Sequence, residues 1–406
     1  MQKPELRVLH VFSALGMGGA ETWLMALLKH FHERSQGLPV TVKFDILLTG
    51  GEKSLFDDEA MAFGANIYYV SYRRRRLGAF IRDFRRILSR GNYDAIHDHQ
   101  DTNAGLHFLI GTGLLPPVRI AHFHNAFECY PQGIIRKINF FAGRQFVNQF
   151  ASHISGTSLK VLHQFGVAAS TSRRQFRGSV HCGFEVREFR GNHANAHREL
   201  CDEFGWTGDS KLLLFAGRLE KRKNPEFALE VARKCIEQRP DVRLLIAGTG
   251  DEIHRILEKR IKSLQLEEHI RLLGNRSDIA RLMIGSDVLL FPSLAEGLGM
   301  VLAEAQAAGL PIVASDSTPL ESSIVAELIH FLSVSESPST WANAALRFIE
   351  QGRPDLTKCN NAVQESAFSI QASASRLLEM YVGDGLADYR DKLHVTRRTL
   401  SSTRTV

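Results

Sequence analysis

Cysteine is scarce in this 406-residue chain: five residues, at 129, 182, 201, 235 and 359, odd in number and widely scattered. No two stand at the spacing of a zinc ribbon, a redox dithiol or a disulfide framework, so those classes are excluded and a reducing cytosol is the expected compartment. Long apolar runs are missing too. The stretch from Val8 to Leu15 is short, contains His10 and leads directly into Gly16-Met17-Gly18-Gly19, which reads as a first strand and not as a signal peptide or a membrane span. Charge of one sign is not in excess. With 50 Lys+Arg against 44 Asp+Glu the net charge is +6 at pH 7, so no nucleic-acid partner is demanded, while acidic ligands and anionic surfaces are favoured. No Asp-x-Asp pair stands at a strand end, and no metal is expected.

What is present is a 44% hydrophobic chain too long for one core, patterned as short apolar runs alternating with segments of helical period. That is the pattern of parallel sheets covered by helices on both faces, an α/β class. Six strands are predicted in each half: 8–13, 42–48, 66–70, 95–98, 119–124 and 153–156, then 212–215, 243–247, 270–273, 288–291, 312–314 and 328–332. Two doubly wound domains follow, 1–190 and 191–361, with the boundary set where Gly183, Gly191, Asn192 and His193 interrupt the periodicity. A helix over about 362–385 is expected to pack back on the first domain, and residues 391–406 read as a disordered tail.

The segment Ser293 to Gly309 carries the strongest chemical signal. Glu296 precedes Gly297-Leu298-Gly299, and Glu304 lies inside the Ala-rich helix that opens at Met300. Glycines allow close backbone approach, a helix start offers N–H groups and a positive dipole end, and carboxylates accept hydroxyl hydrogen bonds on either side. A diphosphate flanked by hydroxyl-rich groups suits that combination; two ordinary surface glutamates are the simpler alternative. In Phe215 to Glu226, a buried strand breaks at Gly217 and presents Arg218, Lys221, Arg222 and Lys223 before Asn224-Pro225 opens a helix. Cations gathered before a helix N-terminus are best explained by an anion. Arg218 and Lys223 are expected to converge on it, with Lys221 and Arg222 facing solvent. The loop Gly16 to Glu21 is a weaker anion candidate, and neither it nor Gly248-Thr249-Gly250 completes a dinucleotide fingerprint.

Histidines number 17, and His97/His99 and His122/His124 each alternate on a strand face. Because the pairs lie on different strands without a carboxylate pattern, a metal is not expected. His97 and His122 read as core residues, whereas His124, last in its strand, is placed to donate a hydrogen bond or carry a proton. Arg73, Arg74, Arg75 and Arg76, together with Ile134 to Phe150, are candidate contacts for anionic lipid or a pyrophosphate-linked acceptor.

Gly217-Arg218-Leu219 with Lys223-Asn224, Leu245 to Asp251, and Phe291 to Asp316 resemble glycosyltransferase family 4 over nearly all of the chain. Gly18 to Glu21 and Arg119 to Asn125 resemble members that build exopolysaccharide or capsular polysaccharide. The resemblance implies GT-B architecture, two Rossmann-like domains facing an interdomain cleft, the first binding acceptor and the second the nucleotide sugar. It implies a nucleotide-sugar donor, UDP-linked by expectation, a glycan or lipid-linked glycan acceptor, no cofactor, and retention of anomeric configuration. Arg218 and Lys223 would clamp the diphosphate, with Gly18, Gly19 and the amides of Gly297, Leu298, Gly299 and Met300. Glu304 would bind the ribose, Glu296 would stand by the reacting carbon, and His124 would meet the sugar. Leu298 replaces an aromatic found in many members, and Cys182-Gly183-Phe184-Glu185 stands where an Asn-Gly-Ile-Asp type segment is common. A nucleophilic Glu296, an epimerase on the same architecture, and a non-catalytic nucleotide-sugar-binding subunit are the alternatives. A cytoplasmic protein, peripheral on the inner membrane face, is the expected location.

Overall fold

A computed structural model of the chain describes residues 3–38, 40–72, 77–126, 134–172 and 175–382. The Arg73 to Arg76 run and the expected disordered tail lie outside the described residues. The chain divides into two compact units, Met1–Gly183 with Ile370–Val406, and Phe184–Ser369. The division therefore comes ahead of the expected residue 190. The reason is apolar: Phe184, Val186 and Phe189 are buried in the core of the second unit. At the other end residues 362–369 stay with the second unit, and only the helix Ile370–Val382 belongs to the first.

Among the described residues the first unit holds eight strands: β1 (Glu5–Phe12), β2 (Thr41–Leu48), β3 (Asn66–Tyr69), β4 (Ala95–Asp98), β5 (Val118–Phe123), β6 (His153–Gly156), β7 (Ser170–Ser172) and β8 (Gln175–Ser179). Their order is β3-β2-β1-β4-β5-β6-β8-β7, parallel except for the β7/β8 pair. The first six match the expected strands; the β7/β8 hairpin was not expected, because Ser-Thr-Ser and Gln-Phe-Arg-Gly-Ser carry no apolar run. Helix Leu77–Gly91 buries Phe80, Phe84 and Leu88 at four-residue spacing, as its period requires. Its arginines are not all solvated, however. Arg85 donates to the carbonyls of Ile110 (2.8 Å) and Thr112 (3.0 Å), closing the end of helix Asn103–Gly111. Helix Ile370–Val382 packs on helix Gly19–Glu33, and Trp23 Nε1 donates to Ser373 Oγ at 2.9 Å.

The second unit holds β9 (Lys211–Ala216), β10 (Val242–Ala247), β11 (Ile270–Gly274), β12 (Val288–Phe291), β13 (Ile312–Ser315) and β14 (Ile329–Leu332). The sheet is parallel throughout, in the order β11-β10-β9-β12-β13-β14. Near-continuous apolar runs such as Leu212 to Phe215 and Val288 to Phe291 are buried, since helices cover both faces. Chain order reverses between β9 and β12, and in such sheets ligands bind beyond the carboxyl ends of the strands at that point. The corresponding reversal in the first unit lies between β1 and β4. Among the described residues no helix is long and apolar enough to cross a membrane.

Candidate active site

The carboxyl ends of β9 and β12 are continued by the two loops that the sequence singles out. After β12, Ser293 and Glu296 are both buried, Glu296 only 5% exposed. Lys223, from the loop after β9, donates to Glu296 Oε1 at 2.6 Å, and the Ser293 hydroxyl donates to the same oxygen. The Lys223 ammonium also lies 5.2 Å from the centre of the Phe291 ring, a cation–π contact that adds to the pairing. Glu296 Oε2 makes an ion-pair contact with Arg222 Nη1 at 3.7 Å.

Arg222 was expected to face solvent and does not. It donates to the Ala295 carbonyl (3.1 Å) and to Glu220 (2.8 Å), while its own carbonyl accepts from the Leu294 amide (2.8 Å). It therefore ties the two loops together. Arg218 and Lys221 are the exposed members of the cluster, Arg218 lying 3.6 Å from Glu220 with a side chain 56% exposed. Its loop is set by backbone contact with the turn after β10. Gly217 N donates to Ala247 O at 3.0 Å and Leu219 N to Thr249 O at 2.8 Å. Gly248 has φ +148, and a Cβ there would stand 1.8 Å from the Gly217 carbonyl oxygen, so glycine is required for the approach. The Gly248-Thr249-Gly250 turn thus shapes the basic loop. Asn224 makes no side-chain cap; it takes the left-handed conformation at φ 55, which asparagine tolerates, and Pro225 begins the helix.

Helix Met300–Ala307 starts behind Gly299, whose φ of +82 turns the chain from the Glu296 loop into the helix. Its far end is held by Arg353, which donates to the carbonyls of Ala308, Ser286, Ile284 and Met283. Glu304, one turn inside the helix, is pushed up to about 7, chiefly by burial and further by the nearby Glu188, with Lys223 acting the other way. Solvent still partly reaches the residue, which keeps the cost below that of complete burial. The sign follows directly. A carboxyl held protonated above its unfolded value costs stability progressively as pH rises from about 4.5 to about 7, because the unfolded chain has already released that proton. Glu304→Gln is therefore expected to raise unfolding stability by about 1–2 kcal/mol at pH 8 and to leave it nearly unchanged at pH 4.5, read by urea titration. Equal effects at both pH values would refute the assignment.

In the first unit the four strand histidines do not stand apart, because β4 and β5 are neighbours and β4 also pairs with β1. His10 is the register partner of His97, and with His99, His122 and His124 it forms one stacked cluster against Trp23. His10 Nδ1 and His99 Nε2 are 3.0 Å apart, and His99 Nδ1 and His124 Nε2 are 2.9 Å apart. A second line runs from the Tyr381 hydroxyl to His97 Nδ1 (2.7 Å), then from His97 Nε2 to His122 Nδ1 (3.1 Å). Burial pushes His10 and His124 down to about 3, and His97, His99 and His122 well below the usual imidazole range, where repulsion among the rings adds to burial. The rings are thus neutral at physiological pH. This narrows the two roles expected for His124, since a protonated imidazolium is not held there. Two histidine trios have nitrogens close enough to share an ion, His10/His97/His99 and His99/His122/His124, but the nitrogens are turned to one another as donor and acceptor. His10 carries no local signal and His99 stands out only as the strand-face mate of His97; strand register brings both to His124.

The Gly18 loop opens helix Gly19–Glu33. A Cβ at Gly18 would stand 2.1 Å from a carboxylate oxygen of Glu21, so the Glu21 side chain folds back over Gly18.

Comparison with known proteins places this fold among glycosyltransferases. Residues 17–171 match the Glycosyltransferase Family 4 model and residues 198–366 match that of Glycosyl transferases group 1. The glycosyltransferase EpsF of Bacillus subtilis (strain 168) is 28% identical over 383 residues, 94% of this chain and 97% of EpsF. The capsular polysaccharide biosynthesis glycosyltransferase CapH of Staphylococcus aureus is 22% identical over 394 residues, 94% of this chain and all of CapH. HepE of Anabaena, solved in complex with UDP, superposes with a TM-score of 0.74 at 17% identity, covering 92% of this chain and 99% of that one.

Proposed function

Since the chain belongs to glycosyltransferase family 4, with both of its domains of Rossmann-like GT-B type, we propose that it transfers a sugar from a UDP-sugar to a polyprenyl-diphosphate-linked glycan during exopolysaccharide or capsule assembly, with retention and without a metal. The observation that carries this reading is the Lys223–Glu296–Ser293 constellation at the strand-order reversal of the second unit. Departure of the diphosphate gathers negative charge on its oxygens while the sugar becomes oxocarbenium-like, so a cation and a carboxylate fixed side by side stabilise both partners of the separating pair. An ammonium has three donors, and Lys223 spends one on Glu296, leaving capacity for phosphate. Arg218, exposed on the same loop, reaches the diphosphate, with the amides at the start of helix Met300–Ala307 completing its charge balance.

Glu304 receives the ribose hydroxyls. Glu296 Oε1 is engaged by Lys223 and Ser293, which assigns Oε2 to the transferred sugar. The acceptor hydroxyl attacks from the side the leaving group vacates, and the diphosphate oxygen takes its proton. HepE, whose structure contains UDP, supports the choice of nucleotide, and CapH, a capsular polysaccharide biosynthesis glycosyltransferase, supports a place in capsule assembly. Arg73 to Arg76 would place the enzyme at the anionic cytoplasmic face where such acceptors reside. The test is an assay of radiolabelled UDP-sugars with polyprenyl-diphosphate glycan in anionic vesicles, with chelator present. Transfer with the donor's anomeric configuration is expected; an inverted product, or abolition of transfer by chelator, would overturn the mechanism.

A further inference from the structure

We propose that His99, with His10 behind it, is a positioning residue that holds His124 as its Nδ1–H tautomer, so that His124 presents a neutral N–H donor at the end of β5. The inference rests on the transferase reading only for what that donor meets, an oxygen-rich sugar or phosphate. The tautomer itself follows from the hydrogen-bond chain. A neutral imidazole has one donor and one acceptor nitrogen, so the chain His10–His99–His124 has two polarities. In one, His10 Nδ1–H donates to His99 Nε2 and His99 Nδ1–H donates to His124 Nε2, leaving the proton of His124 on Nδ1. In the other every proton moves to Nε2, and the chain ends on an N–H at His10 Nε2.

That inner end decides the direction. His10 is fully buried against Phe44 and Tyr381, and among the described residues its Nε2 has no hydrogen-bond partner. An unpaired buried N–H loses a full hydrogen bond to water, and contact with a ring face recovers little of it; an unpaired imidazole lone pair is the lesser loss. The polarity pointing outward from His10 is therefore the stable one. Burial raises the Tyr381 hydroxyl well above its ordinary value, so it stays protonated beside His97 Nδ1. His97 stacks on His99 with ring centres 4.0 Å apart, and a proton added to either ring would be opposed by the other.

A ring nitrogen that already carries a proton cannot accept one. His124 Nδ1 thus serves as a hydrogen-bond donor to a ligand oxygen and not as a base for the acceptor hydroxyl. The experiment is long-range 1H–15N correlation NMR on the full chain with imidazole-15N histidine, His124 being assigned from the spectrum of His124→Gln. At pH 7.5 without any donor sugar, His124 is expected to show a protonated Nδ1 and a bare Nε2. In His99→Phe, which keeps the stack but removes the donor, His124 should shift toward the Nε2–H form and kcat should fall roughly 10-fold or more. In His99→Gln, whose amide N–H reaches the same nitrogen, the Nδ1–H form and part of the activity should return. Nε2–H or imidazolium in the wild-type protein, an unchanged tautomer in His99→Phe, or retention of zinc by the cluster with loss of these N–H signals would overturn the proposal. Absence of sugar transfer by the wild-type protein would instead sink the transferase reading and leave the tautomer result standing.

Discussion

Glu296→Gln is expected to lower kcat by about 10³-fold while changing donor affinity less than about 5-fold. The asymmetry comes from what the carboxylate does at each stage. In the ground state its charge is matched by Lys223 at 2.6 Å and by the Ser293 hydroxyl, so an amide of the same shape still seats the donor. In the transition state positive charge grows on the sugar, and only an anion responds to it. Steady-state kinetics and isothermal titration with the UDP-sugar separate the two terms. Glu304→Gln supplies the contrast, because a ribose contact should cost affinity and spare turnover; if both variants lost kcat alike, the division of labour between the two glutamates would be wrong. Saturating acceptor must be used, so that kcat reports transfer.

Lys223→Ala should be the most damaging change for structure as well as activity. It leaves a carboxylate that is 5% exposed without its ammonium, and the remaining cation, Arg222, is 3.7 Å away and already committed to Glu220 and the Ala295 carbonyl. Removing one partner of a buried pair costs about 3–5 kcal/mol when burial is complete. Lys223 is 13% exposed in its side chain, so about 2–3 kcal/mol is expected, a fall in Tm of roughly 5–10 °C for the second unit. Donor turnover should fall at least 10²-fold. The double variant Lys223→Ala/Glu296→Gln should regain most of the stability and none of the activity. Strict additivity of the two single changes in calorimetry would show that the pair is not coupled.

Much of this was legible before any coordinates. Strands Val288 to Phe291 and Leu212 to Phe215 announce themselves because a parallel strand covered on both faces is apolar at every position, and Gly-Leu-Gly before an Ala-rich segment marks a helix start. Glu296, Lys223 and Ser293 flank those signals, so two of the three were named from sequence. What stayed hidden depends on which strands become neighbours. Arg222 looks like any loop cation until the Glu296 loop is laid beside it, and His10 looks like a polar interruption of an apolar run until register sets it opposite His97. The raised carboxyl of Glu304 is likewise a property of its surroundings, since Glu188 lies 116 positions away in sequence (304 minus 188). The division at Gly183 differs from the expected one for a related reason: glycines mark where a chain can bend, while the buried Phe184 and Phe189 mark which core has claimed it.

The chain leaves its first unit at Gly183 and returns to it at Ile370, so the second unit is continuous in sequence and the first is not. During synthesis Phe184 to Ser369 can complete its sheet as soon as it emerges, whereas the earlier-made first unit must wait for the last helix. Until Ser373 and Tyr381 arrive, Trp23 has no acceptor for its indole N–H and His97 no hydroxyl to orient it. The nascent first unit therefore carries an unfinished aromatic and imidazole face for the time needed to translate almost two hundred residues.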